Sequence, residues 1–189
     1  MNLESREPII FIISGKARHG KDTVASMIRE NYETIGLSTI NLQYSSALKE
    51  YAKRVSNWDG SEETKPRELL QLLGTELIRK KIDFLFFVKR TIDDIKVYSY
   101  FFDCITISDT RAKVEIEVPK QELNKVVTIH VNRPSLQTEL TAKEQKHFTE
   151  VDLDDYDNYD YKLENDGTLE ELNEKVKIII EDVKRRFSK

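Results

Sequence analysis

Near the start of the chain, Gly15 and Gly20 bracket four residues, and Lys21, Asp22 and Thr23 follow at once in the run PIIFIISGKARHGKDT. Two glycines at that interval, then a lysine and a hydroxyl, suit the binding of a phosphate chain. The glycines let the backbone turn sharply and approach an anion with no side chain in between. The amides from Gly15 through Lys16, Ala17, Arg18 and His19 to Gly20 can then face phosphate oxygens, while Lys21 reaches the outer phosphates. The context is right for this. Ile9–Ile13 is apolar and isoleucine-rich, as in a strand buried on both faces. Val24, Met27 and Ile28 recur at helical spacing, so the loop feeds a helix N-terminus whose dipole favours negative charge. Asp22 is an anion beside that site. It either orients a magnesium-bound water or turns outward to cap the helix, and magnesium is the role taken forward, with Thr23 beside it. His19 reads as a loop-shaping or solvent-facing side chain, because transfer to a phosphate acceptor needs no general base.

A loop of this kind needs a scaffold. The 189 residues suit one domain spanning 1–189, with a real core. A net charge of −4 and a pI near 5.6 provide no global basic field for nucleic acid or an acidic membrane, so an anionic substrate must be held by local Arg and Lys clusters. The single cysteine, Cys104, excludes an internal disulfide and fits a reducing compartment. No apolar run approaches the ~18 residues of a membrane span, and MNLESREP has no apolar core of a signal peptide. These features point to a cytoplasmic chain.

Beyond the loop, strand and helix patterns alternate. Thr39–Tyr44 reads as a strand. A helix opened by Ser45 or Ser46 has Leu48, Tyr51, Ala52 and Val55 on one face, and a second, opened by Thr64 and Pro66, has Leu69, Leu70, Leu73, Leu77 and Ile78. Asp83–Tyr100 carries a helix with Phe84, Phe87, Val88, Ile92 and Ile95 inward. Asp103–Ser108 is a buried strand, followed by a helix to about Leu123 and a strand at Val126–Val131. The stretch 136–160 is polar and acidic without the glycine and closing glutamate of a calcium loop. Tyr161–Leu163 is a short last strand. Thr168 and Glu171 make a capping box for a final helix facing inward with Leu169, Leu172, Val176, Ile179, Ile180, Val183 and Phe187. The alternation predicts a three-layer α/β/α domain around a parallel sheet of about five strands.

In such a sheet, ligands bind outside the carboxyl ends of the strands. Three polar clusters join the loop there: Asp109-Thr110-Arg111, Asn132-Arg133 and Asn165-Asp166-Gly167. Asp109 ends an apolar strand, where a carboxylate can hold magnesium or cap the next turn. Arg111 and Arg133 offer planar forks suited to phosphate oxygens. Lys49 and Arg67 sit at helix starts that can face an acceptor, although by spacing alone each reads as a surface charge.

With these residues in hand, the stretches FIISGKARHGKDTVA, ALKEYA, RELLQLLGTELI with FFVK, ISDTR, VTIHVNRP and LENDGTLEEL are similar to the phage-type deoxynucleoside monophosphate kinases of the phosphate-loop kinase superfamily. The displaced Thr23, in Gly-Lys-x-Thr, also resembles nucleoside monophosphate kinases more than most GTPases. The resemblance implies an enzyme that uses ATP and Mg2+, with acceptor-binding helices at about 45–100 and a lid at about 135–155. It implies that Lys21 and Thr23 bind donor phosphates, and that Arg67 and Arg111 hold the acceptor phosphate with Gln71 nearby. Arg133 would contact the transferring group, and Asn165 and Gly167 would lie near the donor base. The linker before Pro66 is short where the phage enzymes carry a long insertion, which bears on base preference. The same layout also resembles animal-type phosphomevalonate kinases, ranked second because RELLQLLGTEL is closer to the nucleotide kinases. A nucleotide-binding module without transferase activity is the reading from another class, and uncovered helices leave room for a homodimer.

Overall fold

Five parallel strands form the sheet in the computed structural model, which describes residues 4–136 and 151–188. The isoleucine-rich β1 (Ile9–Ser14) lies at the centre, flanked by β3 (Cys104–Thr110) and β4 (Val126–Asn132), with β2 (Thr39–Leu42) and β5 (Tyr161–Glu164) at the edges. Every pairing is parallel. All five carboxyl ends therefore meet at one rim, and polar residues placed after each strand become neighbours.

Side chains alternate across β1. Phe11 and Ile13 enter one core with Val24 and Ile28 of α1 (Lys21–Glu33) and Leu172, Val176 and Ile180 of the last helix (Leu169–Phe187). Ile10 and Ile12 enter the other core, against Ile92 and Ile95 of a helix at Phe86–Tyr98 and Ile116 of a helix at Val114–Glu122. A strand covered on both faces must be apolar at every position, which is why β1 shows no alternation in sequence. The three-layer α/β/α architecture expected from the sequence is the one observed. Among the elements described in full, α2 is Ser46–Ser56 and α3 Arg67–Gln71, and the later helices are labelled α4 (Phe86–Tyr98), α5 (Val114–Glu122) and α6 (Leu169–Phe187). Among the described residues no helix is long and apolar enough to cross a membrane.

Several local expectations change. The helix opened by Pro66 is α-helical only through Gln71 and continues as a π-helix over Leu72–Ile82, with the Asp83 amide donating to the Ile78 carbonyl five residues back. The wider turn rotates the buried face, so Ile78 is buried while Leu77 is exposed. Phe84, Val55 and Leu169 are also exposed. Each lies at or just beyond a helix end, outside the contact between layers. Ser45 precedes α2 but does not cap it; its hydroxyl donates to Asp109 Oδ2 at 2.7 Å. The capping box is present. Thr168 Oγ1 accepts the Glu171 amide at 3.2 Å, and Glu171 Oε2 accepts the Thr168 amide at 3.0 Å.

Candidate functional site

Between the end of β1 and the start of α1 the chain makes a tight loop. Gly15 and Gly20 both take positive φ, 147° and 98°. A Cβ on Gly15 would stand 2.3 Å from the Val131 carbonyl oxygen, and one on Gly20 would stand 2.3 Å from Asn165 Nδ2. The ends of β4 and β5 thus press directly on the loop. Asn165 Nδ2 donates to the His19 carbonyl at 2.9 Å, and the Arg133 amide donates to His19 Nδ1 at 3.1 Å. Burial lowers the His19 pKa, which keeps the ring neutral and Nδ1 able to accept. His19 therefore shapes the loop. Replacing Gly15 with alanine combines left-handed strain with a clash against backbone, and is expected to cost at least about 2 kcal/mol in urea unfolding.

Lys21 is 8% exposed, and its Nζ folds back to donate to the Lys16 carbonyl at 2.9 Å. Burial, and then the neighbouring Arg111 guanidinium, push its pKa down to about 8, against weaker opposition from Asp22 and Asp109. Lys21 and Arg111 come from different strand ends and converge. A pocket at this rim is lined by Gly15, Lys16, Thr110, Arg111, His130, Leu153 and Asp154. Two cations held close enough to lower the pKa of one of them favour an anion nearby.

The sequence reading did not include Ser14 or His130. They pair in register across β1 and β4, with Ser14 Oγ 3.1 Å from His130 Nδ1, and the imidazole stacks on Tyr159 at 4.9 Å. The only signal was a histidine inside an otherwise apolar strand, which reads equally well as filler. Asp154, in the polar and acidic stretch 136–160, forms a solvent-exposed ion pair with Lys16 of the loop at 2.8 Å.

Asp109 has protein partners on both carboxylate oxygens. Its Oδ1 accepts the Tyr44 amide at 2.9 Å, and its Oδ2 accepts the Ser45 amide at 3.0 Å and hydroxyl at 2.7 Å. Both oxygens hold the turn between β2 and α2, so Asp109 anchors that turn at the end of β3. Asp22 accepts the Ser108 hydroxyl at 2.6 Å and is otherwise exposed, with half-buried Thr23 next to it. Among the described residues no three His, Cys, Asp or Glu side chains group as a metal site.

Other candidates stand apart from the pocket. Arg67 is exposed and pairs with Glu62 at 3.1 Å, Gln71 is exposed, and Lys49 donates to Gln43 at 2.6 Å. Ala17 and Arg18 form the loop tip, the Arg133 side chain is exposed at the rim, and Gly167 lies exposed before the capping box. Most of the lid expected at about 135–155 falls on 137–150, outside the described residues.

A family model for deoxynucleotide monophosphate kinases matches residues 36–176. The chain belongs to this family. Among curated proteins it is 34% identical over 112 residues to the deoxynucleotide monophosphate kinase of Enterobacteria phage T4, an alignment covering 59% of this chain and 43% of that protein. It is 29% identical over 147 residues to that of Escherichia phage RB69, covering 77% of this chain and 54% of the relative. The chain thus spans about half the length of these relatives. Solved structures share the fold. A sugar kinase from Janibacter sp. aligns at a TM-score of 0.57 with 11% identity over 92% of this chain and 95% of that one. The APS kinase of Mycobacterium tuberculosis, in complex with AMPPNP and APS, aligns at 0.54 with 11% identity over 93% of this chain and 98% of its own. Asp109, Arg111, Arg133 and Asn165 fall within the family match, whereas the loop at 15–23 precedes it and stands on its own geometry.

Proposed function

We propose that this member of the deoxynucleotide monophosphate kinase family transfers the γ-phosphoryl group of ATP to a (deoxy)nucleoside monophosphate. One observation carries the reading: Arg111 from the end of β3 lines a pocket with Gly15 and Lys16 of the loop after β1, close enough for its charge to act on Lys21 of that loop. A phosphate loop alone needs only its lysine. A guanidinium from another strand gives a second phosphate a partner.

Donor phosphates would rest on the amides of Gly15–Gly20 and the N-terminus of α1, with Lys21 exchanging the Lys16 carbonyl for phosphate oxygens. Arg111 would bridge the acceptor phosphate and the transferring group with its planar fork. An oxygen of the acceptor phosphate attacks the γ-phosphorus as the bond to the bridging oxygen of departing ADP breaks. The acceptor is already anionic, so the protein's work is in-line positioning and charge neutralisation. Asp22 and Thr23 fit Mg2+, which keeps several waters and needs one or two protein oxygens plus substrate phosphates, and once bound it would add charge neutralisation across the phosphates. Arg133 and Asn165 would flank the donor. Arg67, Gln71 and Lys49 would reach the acceptor once the α2–α3 region closes over the rim, a movement that breaks the exposed Arg67–Glu62 pair. The single cysteine is buried and its thiol is pushed up in pKa by burial, which fits work in a reducing cytoplasm.

The test is ADP release across the common ribo- and deoxynucleoside monophosphates and phosphomevalonate. Turnover with a nucleoside monophosphate is expected. Turnover with phosphomevalonate alone would move the chain to isoprenoid chemistry, and ATP binding without any turnover would make it a binding module.

A pH dependence follows from Lys21. The free site holds the ammonium only below about 8, and phosphates bind the protonated form. Donor affinity should hold steady up to about pH 8 and then fall by about tenfold per pH unit, measured by calorimetric titration. The contribution of Lys21 to the stability of the free protein runs the other way. The unfolded chain keeps that proton to pH 10.5, so stability rises as pH passes from about 8 towards 10.5.

A further inference from the structure

We infer that Arg79 and Glu115, which touch neither phosphate, position Arg111 and tie the acceptor-side helices to the phosphate pocket. The inference rests on the proposed function.

Glu115 is 2% exposed, and each of its carboxylate oxygens has a distinct task. Oε2 accepts the backbone amides of Arg111 at 2.7 Å and Ala112 at 3.0 Å. Oε1 accepts Arg79 Nη2 at 2.7 Å. The Glu115 carbonyl in turn accepts the Tyr44 hydroxyl at 2.5 Å, beside the turn held by Asp109. Arg79 lies in the π-helical stretch that continues from Arg67 and Gln71, with its side chain 10% exposed and its guanidinium 5.4 Å from the Phe87 ring centroid. One carboxylate therefore joins the acceptor-side helix, the turn carrying Arg111 and, through Tyr44, the turn after β2.

Stability alone is a weak reason for such a pair. Burying two charges costs several kcal/mol in desolvation, and apolar residues of similar volume usually serve as well or better. The geometry supplies another reason. Two consecutive amides directed into one oxygen leave the turn little freedom, and Ala112 is fully buried, so its amide would have no water to replace the carboxylate. The direction in which Arg111 leaves β3 thus depends on Glu115 staying ionised in place. Burial disfavours that ionised state, and the Arg79 guanidinium sustains it. Displacing Arg79 would loosen the cap, so the position of the π-helical stretch and the aim of Arg111 are coupled. The charge pattern predicts a positioning pair whose loss moves the acceptor half of the site and spares the donor half.

The experiment uses the full chain with Arg79→Met and, as the near-isosteric alternative should that variant fold poorly, Glu115→Gln. The expected result is a loss on the order of 10²-fold in kcat/KM for the monophosphate acceptor with donor KM unchanged, and partial recovery in Arg79→Lys. A rise in donor KM as large as the loss on the acceptor side, or no loss at all, would overturn the positioning role. A second measurement is independent of turnover: with the loop filled by a non-hydrolysable ATP analogue, inorganic phosphate is titrated while the Arg111 and Ala112 amide resonances are followed. Weaker phosphate binding in both variants supports the inference even if no monophosphate is a substrate, and wild-type affinity in both overturns it.

Discussion

Lys21→Ala should lower kcat for phosphoryl transfer by on the order of 10³-fold while the protein stays folded, the scale expected for losing one preorganised charge from a transition state. The ammonium is nearly buried, sits beside Arg111 and donates to the Lys16 carbonyl of its own loop. Below about pH 8 its burial as a cation opposes folding, so the variant should melt no lower than the parent at neutral pH. The paired measurement is ADP release and a thermal melt on the same sample. Retained transfer would remove the loop from the mechanism, whatever the melt shows.

Arg111→Ala is the second large effect. Transfer should fall by about 10²–10³-fold, with ATP binding close to that of the parent, because the loop amides and Lys21 remain. Arg111→Lys should recover little, since an ammonium cannot bridge two phosphates as a planar fork does. The change also has a signature beyond activity. The Arg111 guanidinium is the second-largest cause holding the Lys21 pKa at about 8, so its removal lets that pKa climb. The alkaline fall in donor affinity should then move to higher pH. Lost transfer with preserved binding and a shifted limb places Arg111 in the acceptor half of the site. Lost binding with an unshifted limb would show that the two cations do not share a pocket.

Much of this site was legible from local patterns. The loop could be read because glycine spacing, a lysine and a flanking apolar strand report backbone requirements within a dozen residues, and Gly15 and Gly20 do meet the Val131 and Asn165 groups that no side chain could approach. Strand-end placement could be read for Arg111 and Asn165 because a parallel sheet brings every carboxyl end to one rim. The hydrogen bonds of Asp109 could not be read, because an aspartate after an apolar strand carries the same local signature whether it meets a metal or two backbone amides. The partners, Tyr44 and Ser45, lie more than 60 residues earlier.

The sequence by itself determined the layer order, the phosphate loop and the list of cations that could serve it, because periodicity, glycine spacing and strand-end position are properties of neighbouring residues. Only the tertiary structure decided which of those cations meet. It put Arg111 against Lys21 and left Arg67 outside on Glu62. It also set Glu115 and Arg79 against the turn that carries Arg111, and His130, which lines the pocket, against Ser14. Ser14–His130 and Arg79–Glu115 join segments 116 and 36 residues apart, formed where buried charges and polar groups must find partners out of reach of water, and no short window along the chain contains both halves of either.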